Sequence, residues 1–301
     1  MRKVFVSSIA PFYKNFVRAS LEKFSVPAFN LRVLTFDSAR ALFKAAKKCR
    51  TNLFIIELAQ SEMNYTKQSP KYFSKNILKA AEAEDYKEQI FLQADHFRPN
   101  ANLEKLIKKS IKAGFYNIDI DCSSLSLSEN IKETNYYIEF IKKCQPKGLE
   151  INIGGELGDI GSSNTRAEEL EEFLQKVKGI NKVAVQTGTV HGKGGAIDWQ
   201  LVQNLSQIAK KYGLAGIVQH GASTLSEADL RRLPQCGVRE VHLATKIMQT
   251  ILEHPSFPYK ISKQEIGAFK DKINKIPQAV KNKIMEAVEE KFLYFFNCLK
   301  S

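Results

Sequence analysis

The chain has 301 residues, of which 44% are hydrophobic, and a formal net charge of +13 from 45 Lys and Arg against 32 Asp and Glu. This is globular composition, and it excludes a disordered or fibrous protein. The basic residues are dispersed in pairs over helical patterns, without an arginine-rich tail or an RNP-type aromatic motif, so nucleic-acid binding has no specific support.

In chain order, a helical lead-in predicted over Phe12–Phe24 precedes eight short apolar or β-branched runs that alternate with amphipathic stretches. The predicted strands are Val26–Asn30, Leu53–Leu58, Ile90–Ala94, Tyr116–Ile120, Glu150–Gly154, Lys182–Gln186, Gly216–Gln219 and Glu240–Leu243. The predicted helices between them include Ser38–Lys48, Leu103–Ala113, Asn130–Cys144, Ala167–Lys178, Trp199–Tyr212 and Glu227–Leu233. A helical extension is predicted over Ile261–Ser301, and its aromatic run Phe292–Phe296 should pack on the preceding fold or on a partner subunit.

Alternating strands and helices favour a parallel sheet, and eight repeats favour closure into a (β/α)8 TIM barrel. No GxGxxG motif follows the first strand, which weakens the open doubly wound alternative. We therefore predict one α/β domain over residues 1–301. Its barrel should span about 25–252, between the N-terminal lead-in and the C-terminal helical extension.

The carboxyl ends of the strands of such a barrel form the mouth of the active site. Four of the five histidines fall at predicted strand ends, together with several carboxylates. These residues are Asp95, His96, Asp121, Glu156, His191, His220 and His242. Imidazoles combined with carboxylates suit a divalent transition metal, with Zn²⁺ the favoured ion, and an open position for a substrate oxygen.

Glycine-rich segments follow two of these histidines, at Gly192 and at Gly221-Ala222-Ser223. Glycine backbone can approach a phosphate closely because no Cβ intervenes. Taken singly, each histidine could be a hydrogen-bonded core residue, Asp121 a helix cap, Glu156 the partner of a lysine, and the glycines simple turn residues. Their joint placement at strand ends favours metal and phosphate chemistry.

The same segments, in this order and spacing, resemble the class II (metal-dependent) fructose-bisphosphate and tagatose-bisphosphate aldolase family from Val26 to about Thr245. The segments that carry the resemblance are Ala94-Asp95-His96, Gly114-Phe115 with Ile120-Asp121, Gly155–Gly161, Gly188–Gly192 and His220–Ser223. The resemblance implies a TIM barrel, a catalytic Zn²⁺ ion and a phosphorylated sugar as substrate.

The resemblance also implies roles for individual residues. It assigns the metal to His96, His191 and His220. Asp95 would exchange a proton with the C4 hydroxyl, and Asp121 and Glu156 would offer a second or alternative metal position. Gly192, Gly221, Ser223 and Thr245 match positions that contact the phosphate of the ketone half.

Three departures from the family pattern point to a changed substrate or altered proton transfer. At the last strand the family's Asn-Ile-Asp-Thr-Asp is replaced by His242–Lys246, so His242 is expected to stand at a substrate contact. The loop Ser162–Thr165 lacks the acidic residue that serves as the enolisation base in the family. Glu57 stands where the family has a neutral amide. Metal binding is therefore better supported than fructose bisphosphate as the substrate.

The leading hypothesis is a metal-dependent aldolase that acts on a phosphorylated ketose. The alternatives are another lyase, isomerase or epimerase with the same metal-enediolate chemistry, and a noncatalytic binding protein on an aldolase scaffold. The odd number of scattered cysteines, the lack of a signal-peptide core and the lack of an apolar stretch of ~18–20 residues predict a cytoplasmic protein without a membrane partner. A homodimer is expected, since dimers are common in the family.

Overall fold

The computed structural model describes residues 5–18, 24–158, 163–189 and 196–300. The strands are β1 (Val6–Ser7), β2 (Val26–Asn30), β3 (Ile55–Ala59), β4 (Ile90–Phe97), β5 (Asn117–Ile120), β6 (Asn152–Leu157), β7 (Lys182–Val185), β8 (Ile217–Gln219) and β9 (Val238–Leu243). The helices are α1 (Ala10–Arg18), α2 (Thr35–Lys48), α3 (Gln60–Tyr65), α4 (Pro70–Ala83), α5 (Leu103–Lys112), α6 (Leu127–Cys144), α7 (Ala167–Lys176), α8 (Trp199–Lys211), α9 (Glu227–Gln235), α10 (Thr245–Leu252), α11 (Ile266–Asn274) and α12 (Gln278–Leu299).

Strands β2 to β9 form a closed barrel in which every neighbouring pair is parallel. The ring closes where β9 pairs with β2, with Glu240 opposite Val26. The predicted (β/α)8 barrel is thus confirmed, and all eight predicted strands are present with ends shifted by at most three residues. Because β4 and β6 run further than predicted, Asp95, His96 and Glu156 lie within the last residues of these strands.

Alternate residues of each strand point to opposite faces, and this divides the apolar residues into two sets. In β4, Leu92 and Ala94 belong to the large core between strands and helices, whereas Phe91 points to the barrel axis. The axial set forms an apolar floor made of Ile9, Tyr13, Val26, Ala28, Ile55, Phe91 and Ala215. Helix α1 contributes to this floor, so the predicted lead-in does cover the bottom of the barrel. Residues 19–23 of the predicted helix lie outside the described part of the chain.

Helix α12 packs on the outside of the barrel. The rings of Phe292 and Phe296 lie edge-on to Phe29 of β2, with centroids 5.0 and 5.4 Å away, and Phe296 also contacts Phe54 at 5.5 Å. All three phenylalanines of the helix's aromatic run are buried within this chain. Of the two uses predicted for that run, packing on the barrel is the one observed.

Two predictions from the composition concern membrane spans and disulfides. Among the described residues, no helix combines the length and the apolar character that crossing a bilayer requires. The five cysteines are all free thiols, and Cys122, Cys236 and Cys298 are buried.

Candidate metal and active site

The end of β4 brings two adjacent side chains toward one point. Successive residues of a regular strand face opposite sides, but His96 has a φ of +48°, and the pairing of β4 with β5 shifts register between Ala94 and Phe97. The ligand atoms of Asp95, His96 and His220 lie within 4.8 Å of one another. A left-handed backbone at a non-glycine residue costs about 1–3 kcal/mol, and such strain is typical of functional sites.

A second group of potential ligands lies around Nδ1 of the His96 imidazole. Nδ1 of His96 lies 2.9 Å from Oδ2 of Asp121 and 3.1 Å from Oε2 of Glu156. Asp121 is fixed by Arg98, whose Nε donates to Oδ2 at 2.6 Å, and by Ser123, whose hydroxyl donates to Oδ1 at 2.6 Å. His96 thus lies between two groups of potential metal ligands, Asp95 with His220 and Asp121 with Glu156.

Burial and mutual charge shift the pKa values of these groups strongly. Burial and repulsion by Asp121 raise the pKa of Glu156 to about 7, although His96 opposes this shift. Burial alone would lower the pKa of His96, but attraction to Asp95 and Glu156 outweighs it and raises that pKa well above its ordinary value. Burial likewise opposes ionisation of Asp95, but His96 and His242 lower its pKa well below the usual range. The site therefore concentrates carboxylates that favour a positive charge.

Two buried oxygens at this centre lack a hydrogen-bond donor among the described residues, Oδ1 of Asp95 and Oε1 of Glu156. A buried polar atom left without a partner costs about 1–3 kcal/mol, so such atoms call for an explanation. Imidazole nitrogens and carboxylate oxygens are ligands that Zn²⁺ prefers. The residues present therefore fit a divalent metal ion.

The last two strands supply the expected phosphate side. Gly221 adopts a φ of +68° and begins a 3₁₀ turn over Ala222–Thr224, in which the Ser223 hydroxyl accepts a hydrogen bond from the backbone N–H of Lys246 at 3.4 Å. This contact joins the turn to the start of α10. A cleft of about 250 Å³ unites both sides of the site, and its lining includes Asp95, His96, His220, Gly221, Ser223, His242 and Thr245.

The predicted ligand His191 and the predicted phosphate contact Gly192 lie outside the described residues. His242 lines the cleft, and its ring also makes contacts that the sequence did not predict. Nε2 lies 2.7 Å from Oε1 of Glu240, and Nδ1 lies 3.4 Å from both Asp95 and Glu57. Glu57, which departs from the family pattern, thus faces an imidazole that departs from it too.

Comparison with known proteins shows to which family the chain belongs. The sequence pattern of the family described as fructose-bisphosphate aldolase class-II matches residues 12–300, nearly the whole chain. The chain belongs to this family.

Solved structures described as aldolases share the fold. The YdjI aldolase from Escherichia coli K12 superposes with a TM-score of 0.72 at 18% identity, covering 98% of this chain and 97% of that one. A putative fructose-1,6-bisphosphate aldolase from Coccidioides immitis gives 0.70 at 20% identity, covering 97% and 94%. The fructose-bisphosphate aldolase from Campylobacter jejuni also gives 0.70 at 20% identity, covering 99% and 96%.

Beneath the cleft, the barrel of this class II aldolase family member contains an ion cluster that the sequence analysis missed. Nζ of the buried Lys182 donates to Oδ2 of Asp119 at 2.9 Å, to Oε1 of Gln93 at 2.8 Å and to Glu240. Tyr13 of α1 donates its hydroxyl proton to the same Glu240. A signal was available, since Gln93, Asp119 and Glu240 each stand two residues before a predicted site residue and so share its face.

Gly154 of β6 leaves the space that this ion cluster fills. A Cβ there would lie 2.3 Å from Oδ1 of Asp119 and 2.9 Å from Cε of Lys182. We expect Gly154→Ala to lower the free energy of unfolding by about 1–3 kcal/mol, because the added methyl group displaces the ion pair. Urea denaturation measures the change. Wild-type protein is the reference. Gly148→Ala would not serve as a control, because Gly148 has a left-handed φ of +78° that is strained for alanine.

Proposed function

We propose that the protein is a zinc-dependent class II aldolase that breaks or forms a C–C bond in a phosphorylated ketose. The observation that carries the proposal is the convergence of Asp95, His96 and His220 in one cleft with Gly221 and Ser223. Family membership supports it. When bound, zinc supplies a Lewis acid for the negative charge that forms beside the ketone as the C–C bond breaks.

His96 and His220 would hold the ion together with His191, and Asp121 and Glu156 would offer the second or alternative position. The contacts of Asp121 with Arg98 and Ser123 fix the Nδ1 edge of the His96 ring, as partners of metal-bound imidazoles generally do. Ligands with such support keep their orientation when the ion leaves.

Asp95 is the proposed acid and base of the reaction. Its Oδ1 lies 3.4 Å from Nδ1 of His242 but makes no well-aligned hydrogen bond with the described residues, so it can accept the proton of the C4 hydroxyl during cleavage and return it during synthesis. Backbone N–H groups near Gly221, the Ser223 hydroxyl and the start of α10 at Thr245 would bind the phosphate of the ketone half. Binding energy from this remote phosphate orients the bond that breaks.

A metal-content measurement tests the proposed ligands. We expect wild-type protein reconstituted with zinc and dialysed to retain about one tightly held ion per chain, and His220→Ala to lose it, because a three-ligand catalytic site cannot spare an imidazole. His254→Ala is the matched control, since His254 lies beyond α10 and donates nothing to the cleft. Retention of the ion by His220→Ala, with unchanged circular dichroism, would contradict the assignment.

An activity measurement tests the reaction. Zinc-loaded protein should release a triose phosphate from a fructose or tagatose phosphate, and removal of zinc by a chelator should stop this release. Turnover of some other keto-compound alone would favour a different metal-dependent lyase, isomerase or epimerase. Salt-dependent RNA binding by metal-free, inactive protein would favour a noncatalytic role.

A single domain, a cytoplasmic location and a homodimer remain parts of the proposal. The free cysteines are consistent with a reducing compartment. The aromatic run of α12 gives no support to the dimer, because it is buried against β2 and its neighbours. Sedimentation equilibrium of the full chain measures the oligomeric state directly.

A further inference from the structure

Another wall of the cleft is made by the chain after β2 and by α3, between the strand ends that carry the proposed phosphate contacts and β4, which carries Asp95. Arg32 follows β2 by two residues, while Ser61, Glu62 and Tyr65 belong to α3. All four line the same cleft as Asp95 and His220. Ala59, just before α3, pairs with Asp95 of β4. Since Asp95 is the proposed partner of the C4 hydroxyl, this wall would face the aldehyde half of the substrate.

The central feature of the wall is a buried ion pair between Arg32 and Glu62. Nε of Arg32 donates to Oε1 of Glu62, and the two side chains are 15% and 2% exposed. Oε2 of Glu62 accepts from Nδ2 of Asn30 at 3.1 Å and from the backbone N–H of Ala59 at 3.0 Å. Both oxygens of Glu62 are therefore fixed, and the carboxylate cannot swing away from the cleft.

This arrangement leaves the wall without a surplus of positive charge. Burial alone would lower the pKa of Arg32, but Glu62, Tyr65 and Asp95 outweigh it and raise that pKa. Two carboxylates thus act on one guanidinium. Apart from the histidine imidazoles, the other cation among the described residues that line the cleft is Lys263, which is exposed at the rim, where a single ion pair contributes at most about 1 kcal/mol.

The same arrangement suits hydroxyl groups. A guanidinium has five N–H donors in a fixed plane, and the hydrogen bonds among described residues use only the one on Nε. Tyr65 adds a phenol hydroxyl, and the exposed residue Ser61 carries a further hydroxyl. Neutral hydroxyl groups can use donors of this kind beside a carboxylate, whereas a phosphate dianion there would be repelled by Glu62 and Asp95.

We propose that the Arg32–Glu62 pair selects a substrate whose aldehyde half ends in hydroxyl groups and carries no second phosphate. This inference rests on the proposed aldolase function and narrows the substrate class to ketose 1-phosphates. A reaction that phosphorylates C1 of a ketose must then supply the substrate.

A ketohexose 1-phosphate would be cleaved between C3 and C4. The C3–C4 bond breaks, its electron pair stays on C3 of the ketone half, and the C4 hydroxyl proton passes to Asp95. C3 then takes up a proton from water, and Asp95 releases its proton to water. The products are a ketone-bearing triose phosphate and an unphosphorylated hydroxyaldehyde, whose hydroxyl groups contact Arg32 and Tyr65.

The test compares kcat/KM of zinc-loaded protein for fructose 1-phosphate and fructose 1,6-bisphosphate, and for the tagatose pair. Wild type should prefer the monophosphate by about tenfold or more, since a like charge placed against a buried carboxylate is strongly disfavoured. Glu62→Gln removes one negative charge and should shift the ratio toward the bisphosphate by about tenfold. Glu82→Gln, the same change at an exposed position of α4, should leave the ratio unchanged.

Tyr65→Phe gives a second measurement that preserves the ring. It should lower kcat/KM for the monophosphate by about three- to tenfold, the effect of losing one hydroxyl contact, while zinc content stays constant. A wild-type preference for the bisphosphate, or an unchanged ratio in folded Glu62→Gln, would overturn the inference and leave the aldolase proposal standing. Cleavage of neither substrate of either pair would overturn both.

Discussion

Asp95→Asn is expected to abolish most C–C cleavage while zinc remains bound. The substitution keeps the shape of the side chain but removes the basic oxygen at Oδ1, which has no hydrogen-bond donor among the described residues. General acid–base groups contribute about 10²–10⁴-fold, so kcat for a ketose phosphate should fall by that factor. KM should change little, because the phosphate contacts near Gly221 and Ser223 are untouched.

The control for this variant is Asp271→Asn, which makes the same chemical change at an exposed position of α11. Zinc content measured on both proteins separates a proton-transfer role from a ligand role, since Asp95 also lies within ligand distance of His96 and His220. Near wild-type kcat in Asp95→Asn would remove this residue from the chemistry. Loss of zinc together with kcat would instead make it a metal ligand.

Lys182→Met is expected to destabilise the fold by about 3–5 kcal/mol, which is typical of removing one partner from a buried ion pair. The lysine side chain is 2% exposed, and its loss leaves Asp119 and Glu240 facing each other at the centre of the barrel. Burial alone would raise the pKa of Glu240, but Lys182 and His242 lower it to about 2, so its charge persists at neutral pH. Urea denaturation at pH 7 measures the change in unfolding free energy.

Lys211→Met provides the comparison, because Lys211 pairs with Glu171 at 2.9 Å on the surface with the two side chains 66% and 38% exposed. Such pairs contribute about 0–1 kcal/mol. Equal effects of the two substitutions would contradict this prediction. A stable Lys182→Met protein would show that Asp119 is neutralised by taking up a proton, in line with burial raising its pKa to about 6 despite Lys182.

The barrel could be predicted because its signals are local. Apolar runs of four to eight residues, separated by amphipathic stretches, mark each strand and helix without knowledge of their partners. The ends of the strands follow less directly from the sequence. Strand β4, for example, is predicted to end at Ala94 but continues through Asp95 and His96 to Phe97. Polar residues in these positions resemble a loop in sequence, and only pairing with β5 keeps them in the sheet.

The site was predictable to the extent that it follows from strand ends. Asp95, His96 and His220 converge as expected, and Asp121 and Glu156 contact His96. The left-handed backbone of His96 has no sequence signature, because histidine, although enriched in this region among non-glycine residues, adopts it in only a small minority of cases.

Two ion pairs escaped prediction for a different reason. Lys182 and Glu240 are 58 residues apart and meet only across the closed barrel. Arg32 and Glu62 meet only after α3 folds over the end of β2. In each case the sequence shows the charged residues but not which of them pair, because the pairing depends on how the chain folds in three dimensions.

The floor of the barrel has a consequence for the order of assembly during translation. Tyr13 bonds to Glu240 across 227 residues, and β2 finds its second neighbour only when β9 has been synthesised. Until then Lys182 lacks one of its two counter-charges and must stay in contact with water. Contacts between residues so distant in sequence slow folding, and partly folded barrels with unpaired strand edges are prone to aggregate. A nascent chain of this protein should therefore remain protease-sensitive until residue 243 has left the ribosome, and become fully resistant only when α12 has packed on β2.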